Sequence, residues 1–409
     1  MSAKPTREDS ALHRLSPTTC LFAARALRDF GDGFVAVLLP AYLLALGLTP
    51  LEVGVISTVS LLGSAFLTIG VGFLGARYDH RQLLLGAASL MIATGVAFAA
   101  IDAYALLLVV AFAGTINPSA GSVSVFVPLE HAALTSAVTD ADRTKMFARY
   151  SLVGALAAAV GALAAGAPDF FVRIGVDQLT ALNAMFALYA LLGLFGGAFY
   201  SRIPKRQPVE RDAPASALGP SRGIVIRLAA LFSLDAFAGG FVVQSLLALW
   251  LFERFDMSLA AAGVFFFWMG VLSAFSFPVA AWLSRRIGLI NTMVFTHIPS
   301  SLALMLAAVS PTLPIALAFL SIRAALSQMD VPTRSSYVMA VVTESERAAA
   351  ASFTAVPRSL AAAASPAMAG ALFAASYQIW PLLICGALKI TYDLLLLMQF
   401  RHVKPPEEQ

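Results

Sequence analysis

The sequence predicts an all-α polytopic membrane protein made of two related six-helix bundles, and three observations carry that prediction. Of its 409 residues 59% are hydrophobic and only 12% charged, with a mean hydropathy of +0.82. Soluble domains run at roughly 45–50% apolar and about 25% charged. Apolar stretches of about 20 residues, the length needed to cross a bilayer as a helix, recur along the whole chain. Finally, the segment VPLEHAALTSAVTDADR at 127–143 returns as VPTRSSYVMAVVTESER at 331–347, with Glu130 replaced by Arg334.

Taken in order, the apolar stretches fall at about 17–46, 50–76, 82–101, 104–134, 144–166 and 179–200. A second set follows at about 227–252, 259–284, 289–309, 314–342, 349–375 and 380–400. Helices are required because unpaired backbone groups are very costly in lipid. The division is therefore a 1–16 tail, a 17–200 bundle, a 201–226 linker, a 227–400 bundle and a 401–409 tail. The linker begins SRIPKRQPVERDAPASALGPSRG, polar and rich in proline and glycine, as suits a flexible connection.

Lysine and arginine set the orientation. With the N-terminus inside, seventeen fall in inside segments and two, Arg173 and Arg254, outside. That asymmetry places both tails and the linker in the cytoplasm by the positive-inside rule, and the protein in the plasma (inner) membrane as a multi-pass chain. It also accounts for the formal charge of +4 without a nucleic-acid partner. The first 19 residues are polar and lead into a long apolar helix, so no cleavable signal is expected. Cys20 and Cys385 form no disulfide framework and no metal-ligand spacing.

Further echoes support the repeat: GFV at 33–35 and 240–242, and GFLGARYDHR at 72–81 against AWLSRRIGLI at 281–290. An even number of helices per half makes the repeat parallel, about an axis along the membrane normal. With six plus six helices, a basic middle loop and the 72–81 segment, the chain resembles the major facilitator superfamily of secondary transporters. That family carries approximately G-x-L-A-D-R-x-G-R-R between helices 2 and 3. Here Gly72, Leu74, Arg77 and Arg81 fit, while Ala76 stands at the Asp position and Asp79 at the second Gly. The second copy keeps Leu283, Arg286 and Gly288 and has Arg285 at the Asp position. The resemblance implies a cavity lined mainly by helices 1, 4, 7 and 10, alternating access by rocking of the bundles, and Arg77, Arg81, Arg285 and Arg286 in the cytoplasmic gating loops. Glycines and alanines of helices 5 and 11 suit close helix packing.

Ionisable groups inside a span normally face a cavity or a partner. Helix 1 carries Arg25, Arg28, Asp29 and Asp32 within one arc of roughly 100°. Helix 4 carries Glu130 and His131, helix 7 carries Asp235, and helix 10 carries Arg323, Ser327, Asp330 and Arg334 as one stripe. Helix 11 adds Arg358. Glu130 and Arg334, at matched places, are expected either to act as a gate, pairing across the cytoplasmic end in one state and separating in the other, or to pair each within its own bundle. Proton coupling needs a carboxylate that loads and unloads; burial and nearby Arg act on it in opposite senses. Asp235, with no basic neighbour on its own helix, leads the candidates, followed by Asp32, Asp29, Glu130 and Asp330. Arg28, Arg323, Arg334, Arg358, Ser327 and His131 are the substrate-cavity candidates, since guanidinium groups suit carboxylates and phosphates. Lys389 and Asp393 read as an i,i+4 structural pair, His297 as a lone histidine, and Pro118, Pro128 and Pro332 as kinks in helices 4 and 10.

The expected function is secondary transport of a small organic solute, linked to protons, by a monomer that needs only solute, protons and lipid. Export of an amphipathic compound and uptake of an organic anion both fit. The alternative is a non-transporting sensor or a membrane-embedded enzyme on the same fold. Against an enzyme stands the absence of a P-loop, H-E-x-x-H, G-x-S-x-G or Cys/His cluster, and no cofactor or metal is expected.

Overall fold

A computed structural model describes residues 16–74, 78–120, 124–135, 140–205, 218–343 and 346–403. Among these residues the chain is helical and without strands. Seven of the twelve spans are single helices: α1 (Pro17–Ala45), α2 (Pro50–Leu74), α3 (His80–Ala100), α8 (Gln178–Tyr200), α11 (Leu259–Ile287), α12 (Leu289–Ala308) and α17 (Trp380–Phe400). Five are built in two parts. They are α4 (Tyr104–Ala113) with α5 (Phe126–Thr135), α6 (Asp140–Ala164) with α7 (Ala167–Arg173), and α9 (Arg222–Gly240) with α10 (Gln244–Phe255). The last two are α13 (Leu313–Ser327) with α14 (Asp330–Val341), and α15 (Arg347–Ala364) with α16 (Pro366–Ala374).

The expectation of twelve continuous helices is thus corrected at five of them. Pro128 and Pro332 do not kink long helices. Each is the third residue of a new helix, α5 and α14, where its missing N–H has no intrahelical partner to lose. Among the described residues nine helical stretches are long and apolar enough to cross a membrane. The remaining three spans are α1, which carries four ionisable groups, and the two-part spans α4–α5 and α15–α16. Large apolar side chains such as Phe275 and Val109 stay exposed on the outer faces, which in a bilayer is the surface that lipid covers.

The bundles meet on the side away from the linker. There α2 packs on α16, α6 on α11, and α1 on α10. Among the described residues four hydrogen bonds cross between the halves, all in the far half of the spans. Ala367 N donates to Thr58 Oγ1 at 2.9 Å, Ala260 N to Asp169 Oδ2 at 2.8 Å and Ser245 N to Pro118 O at 3.0 Å, while the Ser57 and Ser245 hydroxyls lie 3.4 Å apart. One apolar core runs the length of the N-terminal bundle and continues into the far half of the C-terminal one. A second core, around Val225, Leu228, Tyr337 and Leu396, belongs to the C-terminal six helices alone. Toward the linker side α5 packs on α1, α2, α3 and α6, and α14 on α9, α11, α12 and α15. The bundles therefore part toward that side.

A clasp fastens the start of α9 there. Glu346 accepts from Ser221 Oγ at 2.6 Å, Thr343 Oγ1 at 2.5 Å and the Gly219 amide at 2.5 Å. The Ser221 and Thr343 hydroxyls in particular hold its carboxyl down at about 2, below the usual 4.5. A depressed folded value contributes stability above the unfolded value, lost as the pH falls through about 4.5 toward 2. Glu346→Gln is accordingly expected to lower the thermal midpoint at pH 6–7, the difference shrinking on acidification below pH 4. Thermal denaturation across that range checks it.

Candidate functional site

Two buried charge clusters form, one inside each bundle. In the N-terminal bundle α1 supplies its ionisable stripe, and close approach of α6 locks it in place. Gly161 leaves room for the α1 backbone at Phe30, and Gly33 for that of α6 at Ala158. Arg28, 3% exposed, is the hub. Its Nη2 donates to Glu130 Oε2 at 2.9 Å and its Nη1 to Ser124 Oγ at 3.2 Å, with Asp29 Oδ1 at 3.1 Å and the Phe126 ring beneath. Arg25 Nε lies 2.6 Å from Asp29 Oδ2, and its Nη1 donates to the Tyr150 hydroxyl at 3.1 Å. Glu130 is fully buried and also accepts from Tyr200 at 2.5 Å and from Tyr150. Asp32 is the least paired: Arg28 Nη1 is 3.9 Å away, and among the described residues only Tyr189 donates to it, at 3.2 Å. Tyr189 in turn touches Thr115, in the gap between α4 and α5.

In the C-terminal bundle Asp235 is the hub, 4% exposed. Lys389 Nζ donates to its Oδ1 at 2.6 Å and Arg334 Nη1 to its Oδ2 at 3.2 Å. Arg334 also reaches Asp330 Oδ2 at 3.0 Å. His297 Nδ1 lies 3.0 Å from both oxygens of Asp393, and its Nε2 3.4 Å from Lys389 Nζ. An ammonium has only donors, so Nε2 accepts and Nδ1 carries the proton to Asp393. Arg358 on α15 lies within charge–charge range of Arg334, Asp235 and Asp330, and Arg323 near Cys385. Neither makes an ion pair among the described residues, and Arg358 Nε is buried without a hydrogen-bond partner.

Several expectations are corrected by this geometry. Glu130 and Arg334 do not meet while the bundles are parted toward the linker side; each is paired within its own bundle, which both arrangements weighed from the sequence allow in this state. Glu130 is wholly enclosed in protein. Asp235 has no basic neighbour on its own helix yet receives two from α14 and α17. Lys389 and Asp393 do not pair with each other; they point to Asp235 and His297. His297 is therefore not solitary. The Arg323, Ser327, Asp330, Arg334 stripe is divided by the break at Gln328 and Met329. His131 packs on Phe147 and Tyr150. Arg285 and Arg286 are exposed at the end of α11, Arg286 over the Trp282 ring. Arg81 lies in the first turn of α3, and Arg77 lies outside the described residues. Sequence reasoning did not foresee Tyr150, Tyr189 and Tyr200, whose hydroxyls only the folded bundle brings to the carboxylates.

The breaks follow the repeat. The helices α5 and α14 start at residues 126 and 330, so the gap at Gln328 and Met329 sits 204 residues beyond Ser124 and Val125. Paired interruptions at corresponding depths are the architecture in which secondary transporters place their binding sites. A family profile described as Major Facilitator Superfamily matches residues 21–322. The chain belongs to that superfamily of secondary transporters.

Its relatives carry the same fold over nearly their whole length. The chain is 22% identical to the uncharacterized membrane protein YJR124C of Saccharomyces cerevisiae, over 93% of each sequence. Among solved structures, the inward-open xylose transporter XylE of E. coli superposes with a TM-score of 0.73 at 13% identity, covering 96% of this chain and 98% of XylE. The nucleoside transporter NupG does so at 0.72 and 14%, covering 95% and 100%.

Proposed function

We propose that this chain is a proton-linked transporter of a small organic anion, working by alternating access between two bundles, residues 17–200 and 227–400, with both tails and the linker in the cytoplasm. One observation carries the reading. The N-terminal cluster sets three buried carboxylates, Asp29, Asp32 and Glu130, against two guanidinium groups, Arg25 and Arg28. An uncompensated charge at membrane depth is expensive, and one proton removes it. Asp32 is the carboxylate that takes this proton, because Asp29 and Glu130 each have an arginine within 3.1 Å while Asp32 has one only at 3.9 Å. It also faces the broken fourth span, where non-helical backbone at membrane depth is tolerated only in protein or beside a water-filled cavity. Asp235, tied to Lys389 and Arg334, is instead a structural hub.

Arg323 and Arg358, the half-buried guanidinium groups of the C-terminal bundle without an acid partner among the described residues, support an anionic solute. Loading of Asp32 and of the anion would then occur together. In proteoliposomes with an imposed pH gradient, the wild-type protein is expected to accumulate carboxylates or phosphate esters. Asp32→Asn is expected to abolish that accumulation while keeping solute exchange at equal pH. Accumulation by Asp32→Asn at the wild-type rate would remove the proton from the mechanism.

A further inference from the structure

At the linker-side end of the N-terminal bundle a cavity of about 460 Å³ opens between the start of α1, the start of α3, α5 and the chain leaving α8. Leu21 and Leu84 form part of its apolar wall; Asp79, His80, Arg81 and Lys205 supply polar groups. Two of these groups are conspicuously unsatisfied. Arg81 Nε and Asp79 Oδ2 are both buried with no hydrogen-bond partner. The other Asp79 oxygen is occupied, accepting from the Arg81 amide at 3.2 Å. Neither Arg81 nor Lys205 makes an ion pair among the described residues, so the pocket presents two cations against one carboxylate. A buried donor and a buried acceptor left open in one cavity define what would fill it. The donors of Arg81 and Lys205 ask for a tetrahedral or planar anion, and guanidinium groups bind phosphate well. The open Asp79 oxygen asks for a hydroxyl or ammonium donor beside that anion.

We propose that this pocket binds a phosphate group carrying a neighbouring hydroxyl or amine, as found in a phospholipid headgroup or a soluble phosphate ester. Basic pockets between transmembrane helices at the membrane surface are suited to headgroups. The site also touches Ala133, one turn beyond Glu130 on α5. Its ligand therefore braces the short helix that carries the buried glutamate.

The test uses the full chain in detergent, with phosphatidylglycerol, phosphatidylcholine and glycerol 3-phosphate as separate probes, read by native mass spectrometry and by thermal midpoint. A ligand that binds only the folded state raises that midpoint. Phosphatidylglycerol is expected to be retained and to stabilise, and phosphatidylcholine, lacking a donor, to do so at least roughly tenfold more weakly. Glycerol 3-phosphate matching phosphatidylglycerol assigns the site to a soluble ester; glycerol 3-phosphate having no effect assigns it to the lipid. Lys205 is exposed, so Lys205→Gln keeps the fold, and it should weaken the effective probe by about tenfold; Arg81→Gln should add to that loss. Equal response to all three probes, no response to any, or an unchanged response in Lys205→Gln would overturn the proposal.

Discussion

Gly370→Leu is expected to leave the far side of the protein unable to close and to suppress transport. Gly370 on α16 and Gly54 on α2 lie where the two bundles cross most tightly. A Cβ at residue 370 would stand 2.6 Å from Pro50 O and 2.9 Å from Gly54 Cα, and one at residue 54 would stand 2.6 Å from Pro366 O. These neighbours are backbone, which cannot swing aside as a side chain would. Overpacking of this kind costs about 1–3 kcal/mol, and because it acts only on the state in which the bundles touch, it shifts the closed-to-open ratio roughly 5- to 150-fold. The measurement is thiol labelling of a cysteine placed at Ser57, in a background whose buried native Cys20 and Cys385 are replaced by alanine. Labelling should rise in Gly370→Leu and, by less, in Gly370→Ser, whose Cβ meets the same backbone. If both label like the parent, the contact is present in every state and is not part of the transport cycle.

Asp235→Asn is expected to be the most destabilising single change in the C-terminal cluster. It removes the carboxylate shared by Lys389 and Arg334. Arg334 keeps Asp330 at 3.0 Å, but Lys389 is left with neutral acceptors alone, the amide oxygen at residue 235 and the ring nitrogen of His297. Removing one partner of a buried ion pair costs about 3–5 kcal/mol, chiefly because the other charge stays buried and uncompensated. The companion Asp235→Leu, Lys389→Met removes both charges and is expected to regain most of that loss, since well-packed apolar replacements of buried pairs are often neutral or better. Thermal denaturation of both variants in one detergent decides the matter. A double variant no more stable than Asp235→Asn would show that the hub does more than neutralise Lys389.

The twelve spans and their two-fold repetition could be read in advance because hydrophobicity summed over some 20 residues is insensitive to detail. The breaks were legible only in part. The run Gly114-Thr115-Ile116-Asn117-Pro118 carries its own interruption signal, whereas Gln328-Met329 contains no breaker, and its break is visible only through the tertiary setting. Residue types in the clusters were legible as charges in lipid, but partners were not. Local spacing suggested Lys389 with Asp393, four apart on one helix. The folded chain prefers Asp235, 154 residues away, and His297, 96 residues from Asp393. Helix rotation and bundle packing decide such pairings, and neither is encoded by spacing along one helix. The tyrosines were hidden for the opposite reason: as largely apolar side chains they disappear into the hydrophobic pattern, and only their hydroxyls matter at the site.

The coincident starts of α5 and α14 bear on the protein's origin. Two unrelated six-helix units would have no reason to interrupt their fourth helices at the same residue and to set a proline three positions into the next segment. A single gene duplication of a half that already possessed this interruption accounts for both. The exchange of glutamate for arginine at residues 130 and 334 is then a later divergence, by which two initially identical halves acquired opposite charge in the same architectural slot.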